Sequence, residues 1–143
     1  MIHLVTGGSG SGKSAYAEQC ILDFGGTRRV YIATMQPFGA EGQARIARHR
    51  KMRAAKQFST IECYTNLKEV ELEPGSDVLL ECMSNLTANE IFDPSGAGKA
   101  RAEEEILAGV SRLAHQARNL VLVTNEIFSD GYRYEAVSYT HLT

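Results

Sequence analysis

The sequence predicts an α/β fold: a mostly parallel sheet with helices on both faces, in three layers. Three observations point there. Four or five short apolar runs alternate with helical patterns along the 143 residues, as strand–helix–strand units do. The first run, Ile2-His3-Leu4-Val5-Thr6, leads directly into Gly7-Gly8-Ser9-Gly10-Ser11-Gly12-Lys13-Ser14, the spacing of a phosphate-binding loop between a strand and a helix. The runs Val78-Leu79-Leu80 and Leu120-Val121-Leu122-Val123 are unbroken apolar centres, as strands covered on both faces require.

The elements follow in order. After the loop, Ala15, Ala17, Cys20, Ile21 and Phe24 recur at helical spacing, and Gly25-Gly26 ends that helix. Arg29 to Thr34 reads as a second strand. The loop Gln36-Pro37-Phe38-Gly39 precedes a helix from Glu41 to about Ala55 whose apolar face (Ile46, Ala47, Met52) is thin. Ser59 to Cys63 reads as a short strand, Leu67 to Leu72 as a polar turn of helix, and Asp77 to Cys82 as a buried strand. Leu86 to Phe92 is a short helix, and Asp93 to Gly98 a flexible surface loop. Lys99 to Arg118 carries the clearest period, with Ile106, Leu107, Val110, Leu113, Ala114 and Ala117 on one face. Glu103-Glu104-Glu105 suit the positive end of that helix. A strand over Leu120 to Thr124 ends in Asn125-Glu126. Beyond it come Asp130-Gly131 and Tyr/Ser/Thr-rich residues without a period.

Composition narrows the class of protein. Apolar residues at 43% and charged residues at 22% describe one ordinary globular domain. A net charge of −2 gives no reason to expect nucleic acid or an anionic membrane as partner, and no run reaches the length of a membrane span. Cys20, Cys63 and Cys82 are odd in number and form no CxxC or Cys/His cluster, which suits reduced thiols and a cytoplasmic location. The chain enters its first strand at once, without the features of a signal peptide.

The chemistry is expected at the carboxyl ends of the strands, where open α/β sheets bind ligands. In the loop from Gly7 to Ser14, the glycines let backbone N–H groups turn inward around an anion. Lys13 reaches the outer phosphates as a point charge, and the Ser14 hydroxyl is placed for Mg²⁺. Glu81 ends a strand of the kind that brings an acid to that metal, although Asp is the usual residue, so an ordinary strand-end carboxylate fits equally well. Glu62 and Glu126 are weaker versions of the same pattern. Arg45, Arg48, Arg50, Lys51, Arg53 and Lys56 form a basic segment with no acid between Glu41 and Glu62. On charge alone this is a solvated helix face. His49 lies in its middle, however, and a neutral imidazole can attack phosphorus while neighbouring cations stabilise the transferring group. Asp93-Pro94-Ser95-Gly96 matches a GTPase DxxG but follows a helix instead of a strand, and Thr124-Asn125-Glu126-Ile127 is no guanine-reading motif. Both departures argue against a Ras-like GTPase.

With these pieces assembled, the chain resembles the bifunctional adenosylcobinamide kinase/adenosylcobinamide-phosphate guanylyltransferase family of cobalamin biosynthesis. The resemblance rests on Leu4-Val5-Thr6-Gly7-Gly8, Ser11-Gly12-Lys13-Ser14, Tyr31-Ile32-Ala33-Thr34, Ala44-Arg45-Ile46, His49-Arg50, Glu62-Cys63, Leu79-Leu80-Glu81-Cys82 and Val121 to Glu126, and runs to about Gly131. It implies a RecA-like P-loop domain, a homotrimer, and His49 as the histidine that takes GMP from GTP. It implies GTP contacts at Gly7, Gly8, Ser9, Gly10, Ser11, Gly12, Lys13, Ser14, Ile32, Ala33, Thr34, Arg50, Lys51, Met52, Arg53, Glu62 and Glu81. His49 and Lys13 are the expected catalytic residues, and Ser14 and Glu81 the expected Mg²⁺ ligands. The activity implied is phosphorylation of adenosylcobinamide from GTP or ATP, then transfer of GMP to give adenosylcobinamide-GDP. The kinase base stays open among Glu62, Glu81 and Glu126.

Arg48 stands where some members of that family carry a second His. Ala136 to Thr143 does not resemble the family, so the reading is one domain over residues 1–135, incomplete at its C-terminus, with an aberrant tail over 136–143. A sheet without its last strands leaves an unpaired edge. Two other readings stand beside the bifunctional one: a monofunctional small-molecule P-loop kinase whose basic helix only clamps phosphates, and an inactive GTP-binding fragment.

Overall fold

Six strands, four α-helices and one 3-10 turn make up the computed structural model, which describes residues 1–8, 11–125 and 139–142. In chain order these are β1 (Ile2–Gly7), α1 (Lys13–Asp23), β2 (Arg28–Ala33), α2 (Gly39–Ala55), β3 (Phe58–Glu62), the 3-10 turn Leu67–Glu69, β4 (Ser76–Glu81), α3 (Met83–Phe92), α4 (Ala102–Gln116), β5 (Asn119–Asn125) and β6 (Tyr139–Leu142). The strands lie in the order β3-β2-β4-β5-β1-β6, and every pairing is parallel. The sheet is thus wholly parallel among the described residues, where the sequence predicts mostly parallel. All strand carboxyl ends consequently meet on one edge. Register aligns Ala33 with both Glu62 and Glu81, and Gly7 with Asn125.

Strand alternation divides the apolar residues into two layers. Val30, Ile32, Val78, Leu80, Leu120 and Leu122 face α3 and α4, where Leu86, Ile106 and Leu113 complete one core. Val5, Tyr31, Leu79, Val121 and Val123 face the other way, onto Ala17 and Ile21 of α1. This produces the three layers, and the central strands β4 and β5 are apolar without a break because both their faces are covered.

Helix α2 forms for a different reason. Of its seventeen residues only Arg53 is buried, and the predicted face residue Met52 is 62% exposed. Its sequence is dominated by Ala, Arg, Lys, Gln and Met, strong helix formers, so local propensity carries it. It is tied to its surroundings by polar contacts: Lys56 Nζ donates to Glu18 of α1 at 2.7 Å, and Arg50 pairs with Glu62 at the end of β3.

Several sequence expectations are corrected. The polar helical turn predicted to Leu72 is only the 3-10 turn Leu67–Glu69. The stretch from Asp93 to Gly98 is the loop expected between α3 and α4, and it carries hydrogen bonds that the sequence does not show. Asp93 accepts from the Ser95 backbone N–H and hydroxyl at 2.9 and 2.6 Å. The buried Glu90 carboxylate accepts from the backbone N–H groups of Ala97 and Asn66 at 2.9 and 3.0 Å. Tyr139–Leu142, where the sequence shows no period, is strand β6 and covers the edge of β1. The remaining residues of that C-terminal stretch, 126–138 and 143, and the motifs Glu126-Ile127 and Asp130-Gly131, lie outside the described residues.

Gly109 lies inside α4, where Ala would ordinarily be favoured by about 1 kcal/mol. Here a Cβ would meet Leu67 Cβ at 2.7 Å and the Lys68 backbone nitrogen at 3.0 Å. The absence of a side chain lets the 3-10 turn pack directly on the helix. Gly109→Ala is therefore expected to destabilise by about 1–3 kcal/mol despite its better helix propensity, read as a lowered denaturant midpoint with an unchanged slope.

Candidate nucleotide site

The loop after β1 leads into α1. Ser11 N–H donates to the Gly8 carbonyl at 3.2 Å, and Gly12, at φ +87°, caps the helix in the left-handed region that side chains avoid. Lys13, the first residue of α1, is buried, and its ammonium donates to the Gly8 carbonyl at 3.2 Å. Ser9 and Gly10 lie outside the described residues. The Ser11 hydroxyl oxygen is buried and has no partner among the described residues.

The next residue brings two predicted groups together. The Ser14 hydroxyl donates to Glu81 Oε2 across 67 positions of sequence. The other carboxylate oxygen, Oε1, accepts from the Tyr31 hydroxyl at 3.2 Å. A hydroxyl and a carboxylate side by side at the end of a phosphate loop are hard oxygen donors, the kind that hold Mg²⁺ with water completing its shell.

Tyr31 is 8% exposed and lies in the α1-side core. Burial, reinforced by the Glu81 charge, pushes its phenol far above the ordinary range, so it stays protonated and donates. The Arg53 guanidinium carbon sits 3.7 Å above the centre of its ring, a cation–π contact between α2 and the sheet. Arg53 is 7% exposed, and its Nε has no partner among the described residues.

One cavity joins these parts. It is lined by Tyr31, Ala33, Met35, Ile46, His49, Arg53, Glu62, Tyr64 and Glu81; Lys13 and Ser14 do not line it, and the loop meets it through the Ser14–Glu81 contact. His49 and Arg53, one helical turn apart, present the same face of α2. Thr34 is held beside the cavity: its hydroxyl donates to the Cys82 carbonyl at 2.8 Å and accepts the Cys82 N–H at 2.7 Å, and its carbonyl accepts from Asn89 at 2.8 Å. The end of β5 is fixed similarly, with Asn125 N–H donating to the Ser84 hydroxyl at 3.1 Å.

The structure does not gather every predicted residue. The Ile32 side chain is fully buried in the α3/α4 core, which leaves only its backbone near the site. Lys51 and Met52 are exposed on α2 and are not among the residues lining the cavity. Glu126 is outside the described residues. Burial pushes the Cys63 thiol up to about 11 and raises that of Cys82, so both are packing groups.

The family model for cobinamide kinase / cobinamide phosphate guanyltransferase matches residues 3–140. The chain belongs to this family. It is 35% identical over 140 residues to the bifunctional adenosylcobalamin biosynthesis protein CobU of Escherichia coli strain K12, covering 89% of this chain and 76% of that protein. Identity to the protein of the same name from Salmonella typhimurium is 36%, with the same coverage. The bifunctional protein CobP of Pseudomonas aeruginosa is 33% identical over 131 residues, covering 88% of this chain and 72% of that protein.

In this cobinamide kinase/guanyltransferase family member, reading the sequence overlooks Tyr31 as a site residue, and with it the other lining residues Met35, Ile46 and Tyr64. The only signal for Tyr31 is its place in β2: alternation with Val30 and Ile32 turns it toward α1, two residues before the strand reaches the ligand-binding edge.

Proposed function

We propose that this protein carries out both reactions in the family's name: phosphorylation of adenosylcobinamide from GTP or ATP, then transfer of GMP from GTP to that phosphate through a guanylylated His49. The observation that supports it is the shared cavity, in which a histidine on a basic helix faces the carboxylate joined to the phosphate loop. The loop from Gly7 to Ser14 holds the triphosphate through its N–H groups and Lys13. A bound Mg²⁺, held by Ser14 and Glu81, would neutralise charge on the phosphates. Arg50 and Arg53 supply fixed positive charge beside His49, and Ala33 and Thr34 offer backbone at the neighbouring strand end.

In the guanylyl half, a ring nitrogen of His49 attacks the α-phosphorus. The N–P bond forms as the bond to the β-phosphate oxygen breaks, and pyrophosphate leaves. The corrinoid phosphate then attacks the same phosphorus, the P–N bond breaks, and the diphosphate product carries away GMP. In the kinase half, the corrinoid hydroxyl oxygen attacks the γ-phosphorus and gives up its proton to a carboxylate, Glu62, Glu81 or Glu126, while the bond to the bridging β–γ oxygen breaks and nucleoside diphosphate leaves. Splitting the nucleotidyl transfer at a histidine keeps each displacement simple. The protein acts in the cytoplasm as a homotrimer, and the exposed Phe38 and Met52 on and beside α2 are apolar surface that a neighbouring subunit would cover.

The test is incubation with GTP followed by peptide mass spectrometry. One GMP adduct on the peptide containing His49, labile to acid and stable to base, is the expected result. Transfer of γ-phosphate to the corrinoid with no adduct would reduce the protein to a monofunctional kinase. GTP binding with neither product would make it a binding fragment.

A further inference from the structure

The structure assigns Tyr31 as a positioning residue with two outputs: its hydroxyl fixes Glu81 against Ser14, and its ring seats Arg53 and with it the turn of α2 that carries His49. This rests on the proposed function for the meaning of His49, but the contacts themselves do not. Glu81 is half-buried at a strand end, and its two oxygens are divided between the Ser14 hydroxyl and the Tyr31 hydroxyl. Without the second bond the carboxylate could turn away from the loop. The ring face of the same tyrosine lies under Arg53, the one buried residue of α2.

The physics gives this contact unusual weight for a single pair. Among the described residues, α2 fully buries no apolar side chain; besides the half-buried Ile46 and the Arg29 hydrogen bond to the Lys56 carbonyl at 3.0 Å, it is held over the sheet by Arg53 and by ion pairs that contribute little. A guanidinium over an aromatic ring, both withdrawn from water, is stronger than those pairs. Tyr31 therefore touches the two groups that the proposed chemistry requires to be held in register, the metal-side carboxylate and the helix that bears the nucleophile.

Two properties separate the outputs. Tyr31→Phe keeps the ring and loses the hydroxyl. With α,β-methylene GTP, which cannot give up GMP, Mn²⁺ affinity read from its free-ion electron paramagnetic resonance signal should weaken about tenfold, as for loss of a hydrogen bond to a charged group. Amide hydrogen exchange across residues 45–56 in Tyr31→Phe should stay within about twofold of wild type, since the ring contact is retained. Tyr31→Leu and Arg53→Gln remove the stack from opposite sides. In protein without nucleotide, amide hydrogen exchange across residues 45–56 should rise in both by about tenfold, and Arg53→Lys, which keeps a cation over the ring, should restore most of the protection. Arg53→Gln removes the cation from the α2 side of the stack while leaving the apolar core residue Tyr31 in place, and so guards against failure of Tyr31→Leu to fold. Mn²⁺ affinity unchanged in Tyr31→Phe, or exchange unchanged in Arg53→Gln, overturns the assignment. If the wild type takes no GMP, the proposed function fails, while the Mn²⁺ and exchange measurements still decide the role of Tyr31.

Discussion

His49→Ala is expected to lower GMP transfer at least ~10³-fold, because the proposed covalent bond to phosphorus forms at its ring nitrogen. The substitution is structurally mild: His49 is exposed, and Ala is the better helix former at its position in α2. A folding defect is therefore no explanation for the loss. Phosphoryl transfer to the corrinoid should fall far less, so the products shift from adenosylcobinamide-GDP to the phosphate. The measurement is retention of label from GTP marked at the α-phosphorus, set against turnover of GTP marked at the γ-phosphorus in the same preparation. Equal α-label in wild type and variant would remove His49 from the mechanism. Arg48→Ala is the companion control. It deletes an adjacent side chain that does not line the cavity, and it should keep the label.

Much of this architecture is legible in the sequence because its causes are local. The β1–loop–α1 unit is written in consecutive residues, and the buried strands β4 and β5 announce themselves as unbroken apolar runs. Parallel strands also fix where a site must lie, so Glu62, Ala33 and Glu81 share an edge once their strands are recognised. What the sequence hides is long-range. The Ser14–Glu81 contact spans 67 positions and the Tyr31–Glu81 contact 50, and no periodicity reports either. Tyr31 reads as one apolar residue of a strand, since nothing local shows that its two ends serve different partners. Gly109 looks like a helix defect until the 3-10 turn is seen against it. Ile32 is the opposite case: motif position places it in the nucleotide contacts, while strand alternation turns its side chain into the far core. Strand β6 is missed because an edge strand of polar residues gains its hydrogen bonds from a partner more than a hundred positions away.

Lys13→Ala should remove both activities together, and that is what distinguishes the loop from the helix. The Lys13 side chain is the fixed positive charge nearest the loop carbonyls, buried at the first turn of α1 where the helix dipole already favours an anion. Loss of one such preorganised group costs about 3–4 kcal/mol, or 10²–10³ in rate. Because the same triphosphate is anchored there in either reaction, γ-phosphoryl transfer and His49 labelling should decline in parallel. Lys13→Arg should rescue neither fully. The site presents a point contact to the Gly8 carbonyl at 3.2 Å, and a planar guanidinium needs more width and a two-oxygen partner. The two variants thus form a pair with opposite signatures: His49→Ala changes the ratio of the two activities, and Lys13→Ala preserves the ratio while lowering both. If Lys13→Ala spared either reaction, the two transfers would not share one phosphate anchor, and a second nucleotide position elsewhere on the sheet edge would be required.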